Sequence, residues 1–167
     1  FLNPFPPSFR LPIKSSGNTA LATLLLLDNN SKTVEHPHMV DPIKVYPAKP
    51  AKVYFYGTCL VDMFYPDAGI AGVELLEREG IEVLFPQNQT CCGQPAYTSG
   101  YHDEARSVAR AQLDLFPGDW PIVVPSGSCG GMMRKHYPDL FKDTTDEVKA
   151  AEVAGRVWEL PDFLLNV

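Results

Sequence analysis

The alternation of short apolar runs with helical segments, from residue 51 onward, is the feature that most restricts the fold of this chain. Three runs, "KVYFYGTCL", "IEVLFP" and "WPIVVPS", are apolar and rich in β-branched or aromatic residues, as buried strands are. Two segments, "PDAGIAGVELLEREG" and "YHDEARSVARAQLDLF", separate these runs and have the residues that start and end helices. This order predicts an α/β fold of three layers, with a mainly parallel sheet and helices on both faces.

Each of the two helical segments is expected to bury one face. The predicted inner positions are Ile70, Val73 and Leu76 in the first helix and Ala105, Val108, Ala109 and Leu113 in the second. After the third strand, "GGMMRKHYPDLF" predicts a short helix that Pro138 ends or bends. Thr144 and Glu147 form a capping-box pattern, which predicts a fourth helix over "TTDEVKAAEVAGRVWEL" and then one further turn in "LPDFLLNV".

The first 50 residues differ in composition from the rest of the chain. They contain eight of the sixteen prolines, which block long helices and central strands. We expect residues 1–50 to be an irregular, proline-rich leader that is not native to the domain, and residues 51–167 to be the folded domain. His36 and His38 are expected to lie in a surface loop of this leader. The longest apolar run, residues 20–27, is shorter than the roughly 20 residues that span a bilayer, and no signal-peptide cleavage site follows it.

The charge and the glycine pattern exclude several classes of function. The net charge is -6, whereas a nucleic-acid-binding protein needs a basic stripe, so no nucleic-acid partner is expected. No G-x-G-x-x-G follows the first strand, which argues against nicotinamide or flavin hydride chemistry in this chain. Because neither a membrane span nor a secretory signal is recognised, we expect a cytoplasmic protein with reduced thiols.

All four cysteines lie just after predicted strands. Cys59 ends the first strand, Cys91 and Cys92 lie in the loop after the second, and Cys129 follows the third. Because the carboxyl ends of parallel strands lie at one edge of a sheet, where ligands bind, these thiols are expected to meet in space. Helices begin shortly after each cysteine, and their N-terminal N–H groups favour thiolate over thiol.

Grouped thiolates suit either an iron–sulfur cluster or zinc. The spacing is unlike that of a zinc ribbon, which has paired C-x2-C knuckles. Cys91 and Cys92 cannot easily form a disulfide with each other, because the ring across one peptide bond is strained. Disulfides from either of them to Cys59 or Cys129 remain open at this point.

Three segments carry a family resemblance: "GTCLVDMFYPDAG", "PQNQTCCGQPAYTSGY" and "VVPSGSCGGMMR", in this order within residues 51–167. They resemble the cysteine-rich CCG domain, which is found in heterodisulfide reductase and in the iron–sulfur subunit of glycolate oxidase. The similarity is greatest to the members of the family that act in lactate utilization. Residues 1–50 match nothing in the pattern.

The resemblance implies a function, a cofactor and partners. Members of the family carry two such domains in tandem and take part in electron transfer, so residues 51–167 would be the first domain of a pair whose second half is absent here. The implied cofactor is an iron–sulfur cluster of the [4Fe-4S] type, and the implied activity is that of an oxidoreductase component in a complex that oxidises L-lactate. The implied partners are the second CCG domain of the same protein and the other subunits of that complex. The domain alone would be inactive, and an isolated fragment can lack the cluster.

Four residues match the motif cysteines and would be the cluster ligands: Cys59, Cys91, Cys92 and Cys129. Gly93 and Ser126 are further candidates for the cofactor site. Ser126 stands where the heterodisulfide reductase type has a cysteine, and this difference favours a single cluster over a paired one. The resemblance assigns no catalytic residue in this chain.

Two other functions remain open from the sequence. The chain could instead be a thiol–disulfide or zinc-binding module, or a structural assembly domain whose cysteines are inert. Ser126 and Ser128 could donate to a cluster or simply to their own turn, while Met132 and Met133 are expected to pack in the core. The remaining candidates are two histidines expected at helix ends or on the surface, His102 and His136, and three residues considered for substrate or partner contact, Tyr97, Tyr101 and Asp62.

Overall fold

A computed structural model describes residues 48–167. The expectations for residues 1–47, including the apolar run and the two histidines of the leader, lie outside the described residues. The strands are β1 (Lys52–Phe55), β2 (Glu82–Leu84), β3 (Ile122–Val124) and β4 (Val157–Glu159). The helices are α1 (Cys59–Phe64), α2 (Pro66–Arg78), α3 (Gln94–Thr98), α4 (His102–Leu113), α5 (Gly127–Gly131), a π-helical turn (Met132–His136), α6 (Tyr137–Leu140), α7 (Glu147–Gly155) and α8 (Leu160–Asn166).

The four strands form one parallel sheet in the order β2-β1-β3-β4. Val53 of β1 lies opposite Val83 of β2, and Phe55 of β1 lies opposite Val123 of β3. Parallel strands need crossover connections, and the helices between consecutive strands supply them. The predicted parallel α/β sheet is therefore confirmed.

Helices cover both faces of the sheet, as predicted. On one face, Tyr54, Tyr56 and Ile122 pack against residues of α4, α7 and the π-helical turn. On the other face, Val53 and Phe55 pack against residues of α2 and α8. Successive residues of β1 thus enter opposite cores, which is why this strand is apolar throughout rather than alternating.

The fourth strand was not predicted. Residues 157–159 were expected to continue the last long helix, but that helix ends at Gly155 and Val157 pairs with Ile122 of β3. Ala150, Val153 and Val157 are all buried and are spaced as on a helix, so the pattern hides the change of structure. The free edge of β3 decides the outcome, since a strand there satisfies backbone groups that a longer helix would leave unpaired.

The helix after β3 changes its hydrogen-bond pattern rather than simply bending. The N–H of Tyr137 donates to the carbonyl of Met132, five residues back, as in a π-helix. Pro138, which has no N–H to donate, then lies in the first turn of α6, where none is needed. The proline thus changes the helix within the predicted segment, as expected, through a widened turn.

Three smaller expectations need correction. Ile70 was placed on the inner face of the first helix but is 58% exposed, and Val108 of the second is also exposed. The capping box is displaced: Thr144 Oγ1 accepts from the N–H of Asp146, and the Glu147 carboxylate accepts from the N–H of Asp143. The final turn was correctly predicted and forms α8.

Two further observations concern the limits of the domain and the membrane. Lys49, inside the predicted leader, forms an ion pair of 3.1 Å with Glu79 at the end of α2. Among residues 48–167, every helix is too short or too polar to cross a bilayer.

Candidate functional site

The cysteines follow the three strands β1, β2 and β3, at the carboxyl edge of the sheet. From β1 the chain moves to β2 on one side, and then returns past β1 to β3 on the other side. The carboxyl ends of β1 and β3 are therefore neighbours whose following segments diverge, which leaves a crevice of the kind where open α/β sheets bind ligands. The predicted position of the cysteines at the strand ends is confirmed.

Cys59 is held by a short helix and not by the strand itself. It was expected to end β1, but β1 ends at Phe55 and Cys59 is the first residue of α1. Thr58 before it is buried and has φ 57° and ψ 143°, a conformation that is almost confined to glycine. The Thr58 side chain accepts a hydrogen bond of 3.2 Å from the N–H of Val61 and so caps α1. A strained residue thus directs the chain from the sheet into the turn that carries Cys59.

The loop with Cys91 and Cys92 is fixed by side chains from distant parts of the chain. Tyr56, immediately after β1, donates a hydrogen bond of 2.5 Å to the carbonyl of Thr90. Tyr137 of α6 donates one of 3.0 Å to the carbonyl of Cys92. The buried Gln112 of α4 accepts from the N–H of Thr90 and donates to its hydroxyl. Three elements therefore hold the backbone on both sides of the cysteine pair.

Gln89 connects this loop to the end of β1. Its side-chain oxygen accepts from the N–H of Gly57 at 2.8 Å, and its side-chain nitrogen donates to the carbonyl of Phe55 at 2.8 Å. The amide thus satisfies a donor and an acceptor of the backbone beyond β1, as a neighbouring strand would. It fixes the distance between the segment that leads to Cys59 and the segment that leads to Cys91.

Cys129 lies inside the first turn of α5, between two serines and the sheet. Ser126 and Ser128 both hydrogen bond its sulfur, and their hydroxyl oxygens are 3.2 Å apart. The hydrogen bond between the two serine hydroxyls is the bond within the turn that the sequence allowed, and donation to a cluster stays a prediction. A Cβ at Gly127 would meet only the carboxylate end of Glu159, 2.9 Å from Oε1, and this exposed side chain is free to move aside.

The four thiols interact in two pairs, Cys59 with Cys91 and Cys92 with Cys129, and the members of each pair shift each other's protonation. Burial raises the pKa of Tyr56 and of Tyr137, and the proximity of the cysteines at positions 91, 92 and 129 raises each further. All four cysteines are free. Three segments that are distant in sequence thus bring their thiols to one place.

The pKa values of the thiols are shifted in different directions. Burial, and then the hydrogen bond with Cys91, raise the pKa of Cys59 above its usual 9.0. The hydrogen bond with Cys129, and then burial, raise the pKa of Cys92. The hydrogen bond from Cys92 lowers the pKa of Cys129 to about 6 against the effect of burial, and Ser126 and Ser128 assist. One proton is therefore held on Cys92, and Cys129 is the thiolate of the pair at neutral pH.

Backbone N–H groups at the start of α3 point at the cysteine pair. The N–H of Gly93 donates to Sγ of Cys91 at 3.4 Å, and the N–H of Gln94 donates to Cys92 and lowers its pKa. Gly93 has φ 86°, and a Cβ there would lie 2.9 Å from the carbonyl oxygen of Ala105. The absence of a side chain at Gly93 lets α3 approach α4. The contact of Gly93 with a thiol is the hydrogen bond from its backbone N–H to Cys91.

The donor set can be compared with the metals considered from the sequence. Within residues 48–167, no three His, Cys, Asp or Glu side chains come close enough together to hold a single metal ion. The cysteine ligands of an iron–sulfur cluster bind different iron atoms and are spread around a larger centre. Two adjacent thiol pairs with nearby N–H and hydroxyl donors fit that arrangement.

The other candidate residues lie at varying distances from the thiols. Tyr97 of α3 stacks between His102 and His136, with ring centroids 5.0 Å and 4.7 Å apart. His102 begins α4 and His136 is the last residue of the π-helical turn, so both lie at helix ends, as expected. Tyr101 is exposed. Asp62 lines a cavity of about 250 Å³ together with Cys59. Two further residues, Met132 and Met133, are buried in the core as predicted.

Sequence reasoning missed the residues that hold the cysteine loops in place. They are Tyr56, Thr58, Gln89, Gln112 and Tyr137. Their partners are mostly 22 to 45 residues away along the chain, so no local pattern marks them. A polar side chain inside a predicted buried segment was the one available signal, and Gln112 on the inner side of α4 gives it.

Comparison with known proteins agrees with this arrangement. Residues 53–134 match the model of the CCG family, described as a cysteine-rich domain. Over 117 residues, 70% of this chain, it is 50% identical to lactate utilization protein A of Macrococcus caseolyticus (strain JCSC5402), of which the match covers 47%. Over 117 residues it is also 45% identical to lactate utilization protein A 2 of Bacillus cereus (strain Q1), with 48% of that protein covered.

The chain spans about half the length of the curated relatives it matches. Comparison with solved structures gave no significant match. The matched family segment begins inside β1 and ends within the π-helical turn, so it contains all three cysteine-bearing loops. The chain therefore carries, at residues 53–134, a cysteine-rich domain of the CCG family.

Proposed function

We propose that this domain binds an iron–sulfur cluster through Cys59, Cys91, Cys92 and Cys129 and serves electron transfer in a lactate-utilization system. The observation that carries the proposal is the meeting of four free thiols from three strand ends at the switch point of the sheet. When bound, such a cluster would supply one-electron chemistry. The names of the relatives supply the link with lactate utilization.

The residues of the chain have distinct roles in this proposal. The four sulfurs would be the ligands, and the [4Fe-4S] type suits their number. The N–H groups of Gly93 and Gln94 and the hydroxyls of Ser126 and Ser128 stabilise negative charge on the sulfurs. Hydrogen bonds to cluster sulfurs are one way in which proteins set a reduction potential. Ser126 has no thiol with which to bind iron. Its role in this proposal is to adjust the reduction potential of the cluster through a hydrogen bond to sulfur.

The partners proposed are a second CCG domain and the other subunits of an L-lactate-oxidising complex. The chain matches about half of each relative, which leaves as much protein again for such a domain. Substrate oxidation itself belongs to other parts of the complex, and the isolated domain is expected to be inactive with lactate. A reducing compartment such as the cytoplasm suits four free thiols.

Anaerobic metal analysis tests the cluster. The protein, purified without oxygen, is expected to be brown, with iron and acid-labile sulfide in equal amounts and a broad visible absorbance. Cys92→Ser should lose iron and sulfide together, because the variant removes a ligand thiol. Ser99→Ala, an exposed position at the end of α3, is the control and should keep both. Stoichiometric zinc without sulfide, or unchanged iron in Cys92→Ser, would reject the proposal.

A thiol–disulfide module is the second candidate function. It is favoured by one observation: Cys129 has a lowered pKa and lies against the thiol of Cys92, as in pairs that exchange disulfides. Such a protein would be colourless and would reduce a model disulfide with the Cys92–Cys129 pair oxidised in return. Anaerobic protein free of iron and active in this assay would establish this second function in place of the first.

A further inference from the structure

Helix α1 exposes most of its apolar side chains. Leu60 is 49% exposed, Met63 70%, Phe64 66% and Tyr65, immediately after the helix, 63%. Val61 is its one buried residue. A helix normally turns its apolar residues towards a core, so folding of the described domain does not account for this one. Residues 60 and 63–65 are called the α1 surface below.

An apolar groove lies between α1 and the edge of the sheet, and it meets the α1 surface at the smaller cavity beside Cys59, which Met63 lines together with Gly57 and Phe85. The groove is a cavity of about 530 Å³ between α2 and the edge strand β2, lined by Phe55, Val61, Ile70, Val73 and Phe85 among others. Ile70 and Phe85 are themselves exposed. The groove reaches the cysteine site, because the ring of Phe85 lies against Gly57 and Gly57 also lines the cavity beside Cys59.

The α1 surface differs from ordinary exposed apolar residues because it is continuous with the thiol site. Single exposed apolar side chains are normal on folded proteins, and Val148 and Leu165 are examples. Contiguous apolar patches with a polar rim mark interaction surfaces. Here the patch begins at the residue after Cys59, so a partner seated on it would also cover the more accessible pair of thiols, Cys59 and Cys91.

We propose that the α1 surface and its groove are the docking site of a second domain of the same polypeptide. The chain matches 47% of the Macrococcus protein and 48% of the Bacillus protein, so a relative has a further domain's length of chain available to cover this face. This inference rests on the proposed pairing of two domains, and it adds the place of contact.

The charges around the groove indicate which kind of partner surface would be complementary to it. Asp62, Glu74 and Glu77 line the groove, and no lysine or arginine is among its lining residues. The docking face of the second domain is therefore expected to be apolar at its centre with basic residues at the rim. Seated there, it excludes water from the side of the site where Cys59 lies.

Photo-crosslinking in a full-length chimaera tests the docking site. This chain replaces the 117 matched residues of the Macrococcus protein, and a photoreactive phenylalanine analogue replaces Met63. Crosslinks into the Macrococcus half of the same chain are expected at several-fold higher yield than from the same analogue at Leu165, which is 83% exposed on α8. Equal yields from the two positions, or crosslinks only between chains, would overturn the proposal.

A second measurement covers the case in which the chimaera does not fold. The chain alone is examined by sedimentation velocity with Phe64→Gln and with the control Leu165→Gln. A monomer in all three proteins is expected, because the natural occupant is a different domain. A dimer that Phe64→Gln dissociates and Leu165→Gln does not would identify a second copy as the occupant and overturn the proposal. Neither measurement depends on iron. The docking site can therefore be tested even if the protein is found to bind no cluster.

Discussion

The hydroxyl of Tyr137 donates a hydrogen bond of 3.0 Å to the carbonyl oxygen of Cys92, across 45 residues of sequence. Both residues are buried, so water cannot replace the bond. The helix that follows Cys129 thereby holds the loop that carries Cys91 and Cys92. This contact joins the second and third cysteine segments independently of any bound metal.

Removal of that hydroxyl should loosen the cysteine pair. Tyr137→Phe leaves the carbonyl of Cys92 without a donor, and the free energy of unfolding should fall by about 1–3 kcal/mol. Iron retention should also decrease, which anaerobic dialysis followed by metal analysis measures. The matched control is Tyr54→Phe, since Tyr54 donates a hydrogen bond of 2.6 Å to the carbonyl of Pro117, away from the thiols. Equal loss of iron from both variants would contradict the local role of Tyr137.

Replacement of Gly93 should be more damaging than replacement of Gly100. The two glycines have φ of 86° and 85°, so alanine at either incurs a similar backbone strain of about 1–2 kcal/mol. Only at position 93 does the new Cβ meet a backbone atom, at 2.9 Å from the carbonyl of Ala105, whereas nothing lies within 4 Å at position 100. Urea unfolding of Gly93→Ala and Gly100→Ala measures the difference. Equal destabilisation would show that α3 can move away from α4.

Relief of the strain at Thr58 should stabilise the domain. Glycine adopts the φ and ψ of this position freely, and the strain removed is about 1–3 kcal/mol, larger than the few tenths that loss of a cap to glycine costs. Thr58→Gly should therefore raise the midpoint of thermal unfolding. Thr58→Val keeps the strain and loses the cap, so its midpoint should fall. A lower midpoint in Thr58→Gly would mean that the side chain contributes more than its hydrogen bond to Val61.

Cys129 should be a thiolate at neutral pH in the metal-free protein. The pKa of Cys129 is lowered to about 6, so its thiol loses its proton as the pH rises through 6, while Cys59 and Cys92, whose pKa values are raised, stay protonated. The thiolate absorbance of reduced, metal-free protein in the ultraviolet should rise with a midpoint near this value. Cys129→Ser should abolish the step, and Ser126→Ala should move it to higher pH, because a donor to the sulfur is lost. A step that survives in Cys129→Ser would assign the thiolate to another residue.

Much of the fold could be predicted because its main determinants are local. The runs around Val53 and Val123 are apolar and β-branched, and helical segments with recognisable ends separate them, so a parallel sheet with covered faces follows. The position of the cysteines after strands then places them at one edge, since all parallel strands end on the same side. The first turn of α1 and the strand at Val157 could not be predicted, because three or six residues give too little periodicity.

The sequence by itself determined that the cysteine segments would meet at one edge of the sheet, because the parallel direction of the strands follows from patterns that span only a few residues. The order of the strands in the sheet came from the tertiary structure. The tertiary structure alone decided how the cysteine segments are held and protonated. The bonds from Gln89 to β1 and from Tyr137 to Cys92, and the unequal protonation of Cys92 and Cys129, depend on atoms that become neighbours only when distant segments pack together. Burial and hydrogen-bond geometry set these properties, and neither exists before the chain has folded.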